Sequence, residues 1–335
     1  MVRTVRLGFT GDVMLGRKVD ERQRERPPPA VWGTMRDRLA AADGLFVNLE
    51  CCLSTRGQRW TRTNRPFHFR ADPSWATTAL TDVGVSYATL ANNHVLDFEE
   101  VALEDTLDAL SDAGIAYAGA GRTAEEAWRP ARVTVDGLEV AVVAFTDNTP
   151  EYAATEDSPG TAHVDIDPTD DDCVERVRSA IDAAGDPDLL VASLHWGPNM
   201  TESPPERFRA FARFLVDEGV DFLHGHSAHV FHGIEVYDGA PILYDTGDFV
   251  DDYAVDRRLR NDRGFLFEAT VTTDGVVREL HLVPTVIRDC AVHAATADEA
   301  AWNREAMRER STDFDTRFEA ADGGLRVPVA ADGSD

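Results

Sequence analysis

Four of the chain's ten histidines, His224, His226, His229 and His232, fall within nine residues of one another. Packing alone rarely gathers imidazoles so densely, and neutral imidazole is a standard nitrogen donor to divalent ions. Oxygen donors occur in separate segments. Asp12 sits in Gly8-Phe9-Thr10-Gly11-Asp12-Val13-Met14-Leu15-Gly16-Arg17, where flanking glycines let a ligand or metal approach the backbone. A helix-capping aspartate would look the same at this position. In Asn48-Leu49-Glu50, strand alternation puts Asn48 and Glu50 on one side. In Thr89-Leu90-Ala91-Asn92-Asn93-His94-Val95-Leu96-Asp97, amides, an imidazole and a carboxylate follow an apolar run, more than loop hydrogen bonds would require. His195-Trp196-Gly197 closes another such run. Asp12, Glu50, Asn93, His195, His226 and His229 form a mixed N/O set suited to one or two borderline divalent ions, Mn²⁺, Zn²⁺ or Fe²⁺. A pair would lie about 3.5–4 Å apart with an open position for water, and a metal-bound hydroxide would be the nucleophile.

These segments need a scaffold that delivers them to one edge. Residues 5–9, 45–49, 85–90 and 189–194 are short apolar runs ending where polar residues gather, the form of buried strands. Val101, Leu103, Leu107 and Leu110 recur at helical spacing up to Gly114, as do Phe208, Phe211 and Leu215 up to Gly219. Three Asp-Gly pairs, at 136–137, 238–239 and 274–275, predict tight hairpins with positive φ at both turn positions. Pro27 to Pro29 reads as a surface loop. The expectation is an α/β fold with mixed sheets, one domain over residues 1–320, and a polar, loose tail over 321–335.

Sixty acidic residues against 33 basic ones give a formal charge of −27, which would repel a nucleic-acid backbone. Lys18 is the one lysine, the other basic residues being arginine. That bias, with the acid load, points to a halophilic protein whose self-repulsion is screened by concentrated salt. Cys51, Cys52, Cys173 and Cys290 show no metal-ligand spacing and read as buried free thiols. No signal-peptide pattern precedes the first strand, and no window of about 18 uncharged apolar residues occurs, so no transmembrane segment is expected. The expected location is cytoplasmic, or peripheral to a membrane through a partner.

In order along about residues 5–250, the chain resembles the CapA family of poly-gamma-glutamate (capsule) synthesis, within the calcineurin-like metallophosphoesterase superfamily. The resemblance is carried by Gly11-Asp12-x-Met14-Leu15, Asn48-x-Glu50, Asn92-Asn93-His94-x-x-Asp97, Ala118-Gly119-Ala120-Gly121-Arg122, His195-Trp196-Gly197, Gly225-His226-x-x-His229-Val230 and Tyr244-x-x-Gly247-x-Phe249. It implies a four-layer α/β/β/α sandwich with a metal cleft beyond the strand ends. It also implies Glu50 as bridging ligand, Asn93 as ligand, His94 as general acid beside Asp97, and His195 with one or both of His226 and His229 in the shell. Asn48, Arg17, Arg56, Arg122 and Trp196 are the substrate-binding candidates, with Arg70 another arginine near the motifs. The sequence departs from the superfamily at Met14, where Asp-x-His is usual, and at Asp248, where Gly-Asn-Phe is usual. Two functions follow from the resemblance. One is a metal-dependent hydrolase acting on a phosphoester or an amide, with an anionic polymer or a small phosphoester or peptide as substrate. The other is a non-catalytic accessory subunit that binds the polymer or poly-gamma-glutamate synthase subunits.

Overall fold

A computed structural model describes residues 3–330. Its strands longer than two residues are, in chain order, β1 (Thr4–Val13), β2 (Gly44–Leu49), β3 (Val85–Thr89), β4 (Ala116–Ala118), β5 (Ala131–Val135), β6 (Leu138–Thr146), β7 (Leu189–His195) and β8 (Phe222–His226). They continue with β9 (Ile234–Tyr237), β10 (Ala240–Leu243), β11 (Asp248–Val250), β12 (Arg263–Thr272), β13 (Val277–Arg288), β14 (Ala291–Ala294), β15 (Glu319–Ala321) and β16 (Gly324–Pro328). One sheet runs β15-β16-β13-β12-β1-β2-β3-β4, with β11 paired to β1 and β14 to β13. The other runs β9-β10-β8-β7-β6-β5. In each, a parallel centre (β1 to β4; β6, β7, β8 and β10) meets antiparallel strands at its flanks, so both sheets are mixed.

Strand alternation sorts the side chains into layers. Val5, Leu7 and Phe9 of β1, Phe46 of β2 and Tyr87 of β3 meet Val140, Val142, Leu189, Val191 and Phe222 in a core between the sheets. The opposite face of the first sheet packs on helices α1 (Arg17–Gln23), α2 (Pro73–Asp82) and α3 (Glu99–Asp112). The opposite face of the second packs on α4 (Asp171–Ala184) and α5 (Glu206–Asp217). The result is the α/β/β/α sandwich, built from apolar stripes that each bury one helix face against one sheet face.

Asp136-Gly137 and Asp238-Gly239 are the expected hairpin turns, both residues of each having positive φ. Asp274-Gly275 differs: Gly275 alone is left-handed (φ +86°), in a wider Thr272 to Val276 turn closed by hydrogen bonds between those two residues. The extra residue accommodates a bulge between β12 and β13. Pro28–Met35 forms two 3₁₀ turns kinked at Gly33 rather than a plain loop, burying Val31, Trp32 and Met35. The expected loose tail also needs correction. β16 pairs with β13 on one side and β15 on the other and buries Leu325 and Val327 against the inter-sheet core, because two alternate apolar residues suffice to seat a short strand. Residues 331–335 of that tail lie outside the described residues.

Candidate metal centre

The same alternation that lines the inter-sheet core continues past the last apolar residue and delivers polar groups to the sandwich edge. On β7, Val191 is followed on the same face by Ser193 and His195; on β8, Phe222 is followed by His224 and His226. The parallel register sets His195 beside His226, with Nδ1 atoms 3.0 Å apart. On β2, Phe46 is followed by Asn48 and then Glu50. Asp12 would have the wrong parity after Phe9, but β1 bulges. Phe9 aligns with Phe46 and Asp12 with Asn48, three residues against two, which turns Asp12 onto the shared face. Asn48 Nδ2 then donates to Asp12 Oδ1 at 2.7 Å and lies 3.3 Å from His195 Nδ1.

Two donor groups result, each with its ligand atoms within 4.8 Å of one another: Asp12, His195 and His226; and Asp12, Glu50, His229 and Asp248. Asp12 belongs to both. The bulge is what carries Asp12 between the two groups, with Glu50 in the second. Burial holds His195 down to about 3 and His226 well below its usual range, so both are neutral donors at pH 7. His229 behaves oppositely. Burial would lower it, but Asp248, Glu50 and Asp12 outweigh that and raise it well above the usual imidazole value. An ion held there by His229 would have to displace its imidazolium proton.

The residues fit a divalent ion. Asp12 Oδ2, Glu50 Oε1, Asp248 Oδ2 and Asn93 Oδ1 are buried without a hydrogen bond, a costly state for a carboxylate that a cation relieves. His229 Nδ1 stands 2.9 Å from Asp248 Oδ1 and 3.3 Å from Asp12 Oδ2. Two ligands bound at about 2.1 Å to one ion would be separated by about 3.0–3.5 Å. The loop holding Asp248 comes so close to β1 that a Cβ on Gly11 would lie 2.0 Å from the Gly247 carbonyl oxygen, and Asp12 N donates to that same oxygen at 2.8 Å. Gly11 is thus required for both groups to form. Met14 lies in the apolar cluster beneath the helices, where its Sδ accepts from Gly16 N, and takes no place among the donors.

Beside the second group, His94 Nδ1 is 2.5 Å from Asp97 Oδ2, and its Nε2 is 3.7 Å from Glu50 Oε1. Phe69 stacks on the His94 ring at 3.8 Å, and its backbone N–H donates to Asp97 Oδ2. Tyr152 donates to Asp97 Oδ1 at 3.2 Å. Asp97 thereby fixes the ring so that Nε2 is its free nitrogen. Burial lowers His94 from its usual value, against the opposing pull of Asp97. His94, Asn93 and His229 also line an open cleft of about 580 Å³ together with Arg17, Arg65, Phe67, Phe69, Met200 and Tyr253.

The structure brings Asp12, Asn48, Glu50, Asn93, His94, Asp97, His195, His226, His229 and Arg17 to the donor groups or the adjoining cleft. It does not bring Trp196, Arg56 or Arg122 there. Trp196 has the parity of Leu194 and packs under α5 against Phe208 and Tyr244, its indole N–H donating to the Tyr244 carbonyl. Arg56 pairs with Asp105 and Arg122 with Asp108 on the exposed side of α3. Arg70 stacks over Phe98 and donates to the Arg56 carbonyl. Each was placed by closeness in sequence to a motif, which does not fix side-chain direction. Asp248, Arg65, Phe69 and Tyr253 are site residues absent from the expected set. Only Asp248 carried a sequence signal, as an acid where an amide is usual.

Residues 6–253 match the family described as bacterial capsule synthesis protein PGA_cap. A protein of Mycobacterium tuberculosis named as a probable polyglutamine synthesis accessory protein is 34% identical, covering 98% of this chain and 97% of its own length. The PGA biosynthesis protein CapA of Bacillus subtilis is 26% identical, covering 96% of this chain and 81% of its own length. Among solved structures, one described as a novel phosphatase from Mycoplasma pneumoniae superposes with a TM-score of 0.46 at 14% identity, covering 85% of this chain and 95% of that one. This chain belongs to the bacterial capsule synthesis (PGA_cap) family, that of the CapA proteins.

Proposed function

We propose that this protein is a metal-dependent hydrolase acting on an anionic phosphoester or amide in poly-gamma-glutamate synthesis or processing. The observation that carries the reading is the juxtaposition of two donor groups sharing Asp12 with an oriented His94–Asp97 pair, buried beside an open cleft that Asn93, His94 and His229 line. Asp12, His195 and His226 would hold one ion and Asp12, Glu50, His229 and Asp248 the other, with Asn93 Oδ1, buried without a hydrogen bond, as a further ligand. Mn²⁺, Zn²⁺ or Fe²⁺ would polarise the scissile group and supply an activated water. The chain's own residues do the rest. Asn48 holds Asp12 in one orientation through Oδ1 and leaves Oδ2 free. Asp97 keeps His94 Nδ1 engaged so that proton movement to a departing group takes place at Nε2. Tyr253 O–H lies 3.4 Å from Glu50 Oε2 and screens that carboxylate from the cleft.

The test is elemental analysis of protein purified in high salt, followed by turnover of bis-(p-nitrophenyl) phosphate and of gamma-glutamyl peptides with added Mn²⁺. Turnover is expected, and His94→Ala should cost about 10²–10⁴-fold on substrates with poor leaving groups and much less on p-nitrophenyl esters, as loss of a proton donor does. Turnover unaffected by His94→Ala would remove its role. Tight polymer binding without any turnover would favour the accessory-subunit reading instead.

A further inference from the structure

The cleft beside the metal groups is chemically unlike the rest of the molecule. The chain carries 60 acidic residues, yet among the described residues no Asp or Glu lines this cleft. Its two guanidinium groups differ. Arg17 is tied to Asp252 by contacts of 2.8 and 3.2 Å, so its charge is matched. Arg65 has no carboxylate at hydrogen-bond distance: Asp97 Oδ1 is 3.8 Å away, and its bonds go to the neutral Thr149 hydroxyl and the Asn93 carbonyl. An arginine whose carboxylate partner stands off at 3.8 Å, in a cleft lined by no acid, attracts an anion through the planar fork that suits carboxylate and phosphate oxygens.

The second observation concerns apolar surface. Only four large apolar side chains are exposed among the described residues, and two of them, Phe67 (56%) and Met200 (38%), line this one cleft. Arg17 sits 5.4 Å from the ring centres of both Phe67 and Phe69, in cation–π contact with each. A cavity of about 580 Å³ is far larger than a bare phosphate or carboxylate needs and is of the size that takes a small organic ligand. We propose that the cleft selects a small anion bearing a flat apolar group, with Arg65 anchoring the charge and Phe67 and Met200 packing on the apolar part. This rests on the hydrolase reading above and names the substrate class of that site, Phe67 being its specificity-determining residue.

The test uses phenylphosphonate and methylphosphonate as non-hydrolysable probes, titrated calorimetrically into Mn²⁺-loaded protein. Phenylphosphonate should bind about tenfold more tightly or better, the effect of burying roughly one phenyl face. Phe67→Ala, a surface change that leaves the fold intact, should bring the two affinities together while leaving that for methylphosphonate unchanged. Arg65→Gln should weaken both probes by the same factor, with its melting temperature checked against the unaltered protein. Equal affinities for the two probes, or a ratio that survives Phe67→Ala, would overturn this inference and leave the hydrolase reading standing. Failure of the protein to retain any of Mn²⁺, Zn²⁺ or Fe²⁺ would sink the hydrolase reading itself.

Discussion

Asp248 decides the character of the second donor group. Three carboxylates, Asp12, Glu50 and Asp248, face one imidazole there, whereas the first group has one carboxylate and two imidazoles. Oxygen-rich sites suit harder ions such as Mn²⁺, and imidazole-rich sites suit Zn²⁺ or Fe²⁺. Asp248→Asn is therefore expected to lower bound metal from about two ions per chain to about one, with Mn²⁺ lost before Zn²⁺. Elemental analysis after dialysis against mixed metals reads this directly, and an unchanged ratio would strike Asp248 from the ligand set. Glu50, His195, His226 and His229 were legible in the sequence because each follows an apolar strand on the parity of an inward-facing residue or lies in the histidine-dense segment, and Asp12 because flanking glycines mark it, although its parity is wrong without the bulge. Trp196 was misread for the same reason inverted: one residue past His195, it points to the other face. Arg65 and Phe67 lie in a segment with neither helical nor strand periodicity, so nothing local announced their direction.

At the scale of elements, β12 and β13 set Glu268 directly opposite His281, and Arg38 reaches the same carboxylate with bonds of 2.9 and 2.6 Å. Burial alone would raise Glu268, but His281 and Arg38 outweigh it and pull the carboxyl down to about 2. His281 in turn is raised, chiefly by its hydrogen bond to Glu268. The carboxylate's share of stability is present above its unfolded value of about 4.3 and is lost as pH falls toward 2. The imidazole's share has the opposite sign: it is present below its unfolded value of about 6.5 and is lost as pH rises through the raised folded value. Glu268→Gln should cost about 1–3 kcal/mol near pH 6, with the deficit shrinking on both sides. Urea unfolding of the two proteins at a series of pH values measures it, and a deficit independent of pH would refute the pairing. The strands themselves were largely readable, since β1, β2, β3 and β7 are short apolar runs. The β1 bulge was not readable, because nothing local in the sequence marks the extra residue that turns Asp12 inward. β16 was hidden by its composition, five residues with a polar neighbourhood whose two apolar side chains matter only once β13 is beside them.

For the whole molecule, two electrostatic terms respond to salt in opposite directions. Exposed ion pairs such as Arg36–Asp82, Arg62–Glu100 and Arg178–Glu218 weaken as salt is added. Such pairs contribute about 0–1 kcal/mol each, so screening them removes little. The opposing term is the mutual repulsion of a chain with a formal charge of −27, in which acids outnumber arginines and the single lysine nearly two to one. Folding brings those charges together, and most have no cation to pair with. The screening length shrinks from about 10 Å at 0.1 M salt to about 3 Å at 1 M, less than the spacing of most surface charges. Relief of repulsion should win, so the melting temperature is expected to rise between 0.1 and 1 M KCl and more gently beyond, where screening is nearly complete. Sucrose, which is excluded from protein surfaces but screens no charge, separates the two possible origins of such a rise. Thermal melts in KCl series with and without sucrose decide the matter. A flat or falling melting temperature from 0.1 to 1 M KCl would mean that the ion pairs outweigh the net charge, and that the acid excess has no part in holding this fold in salt.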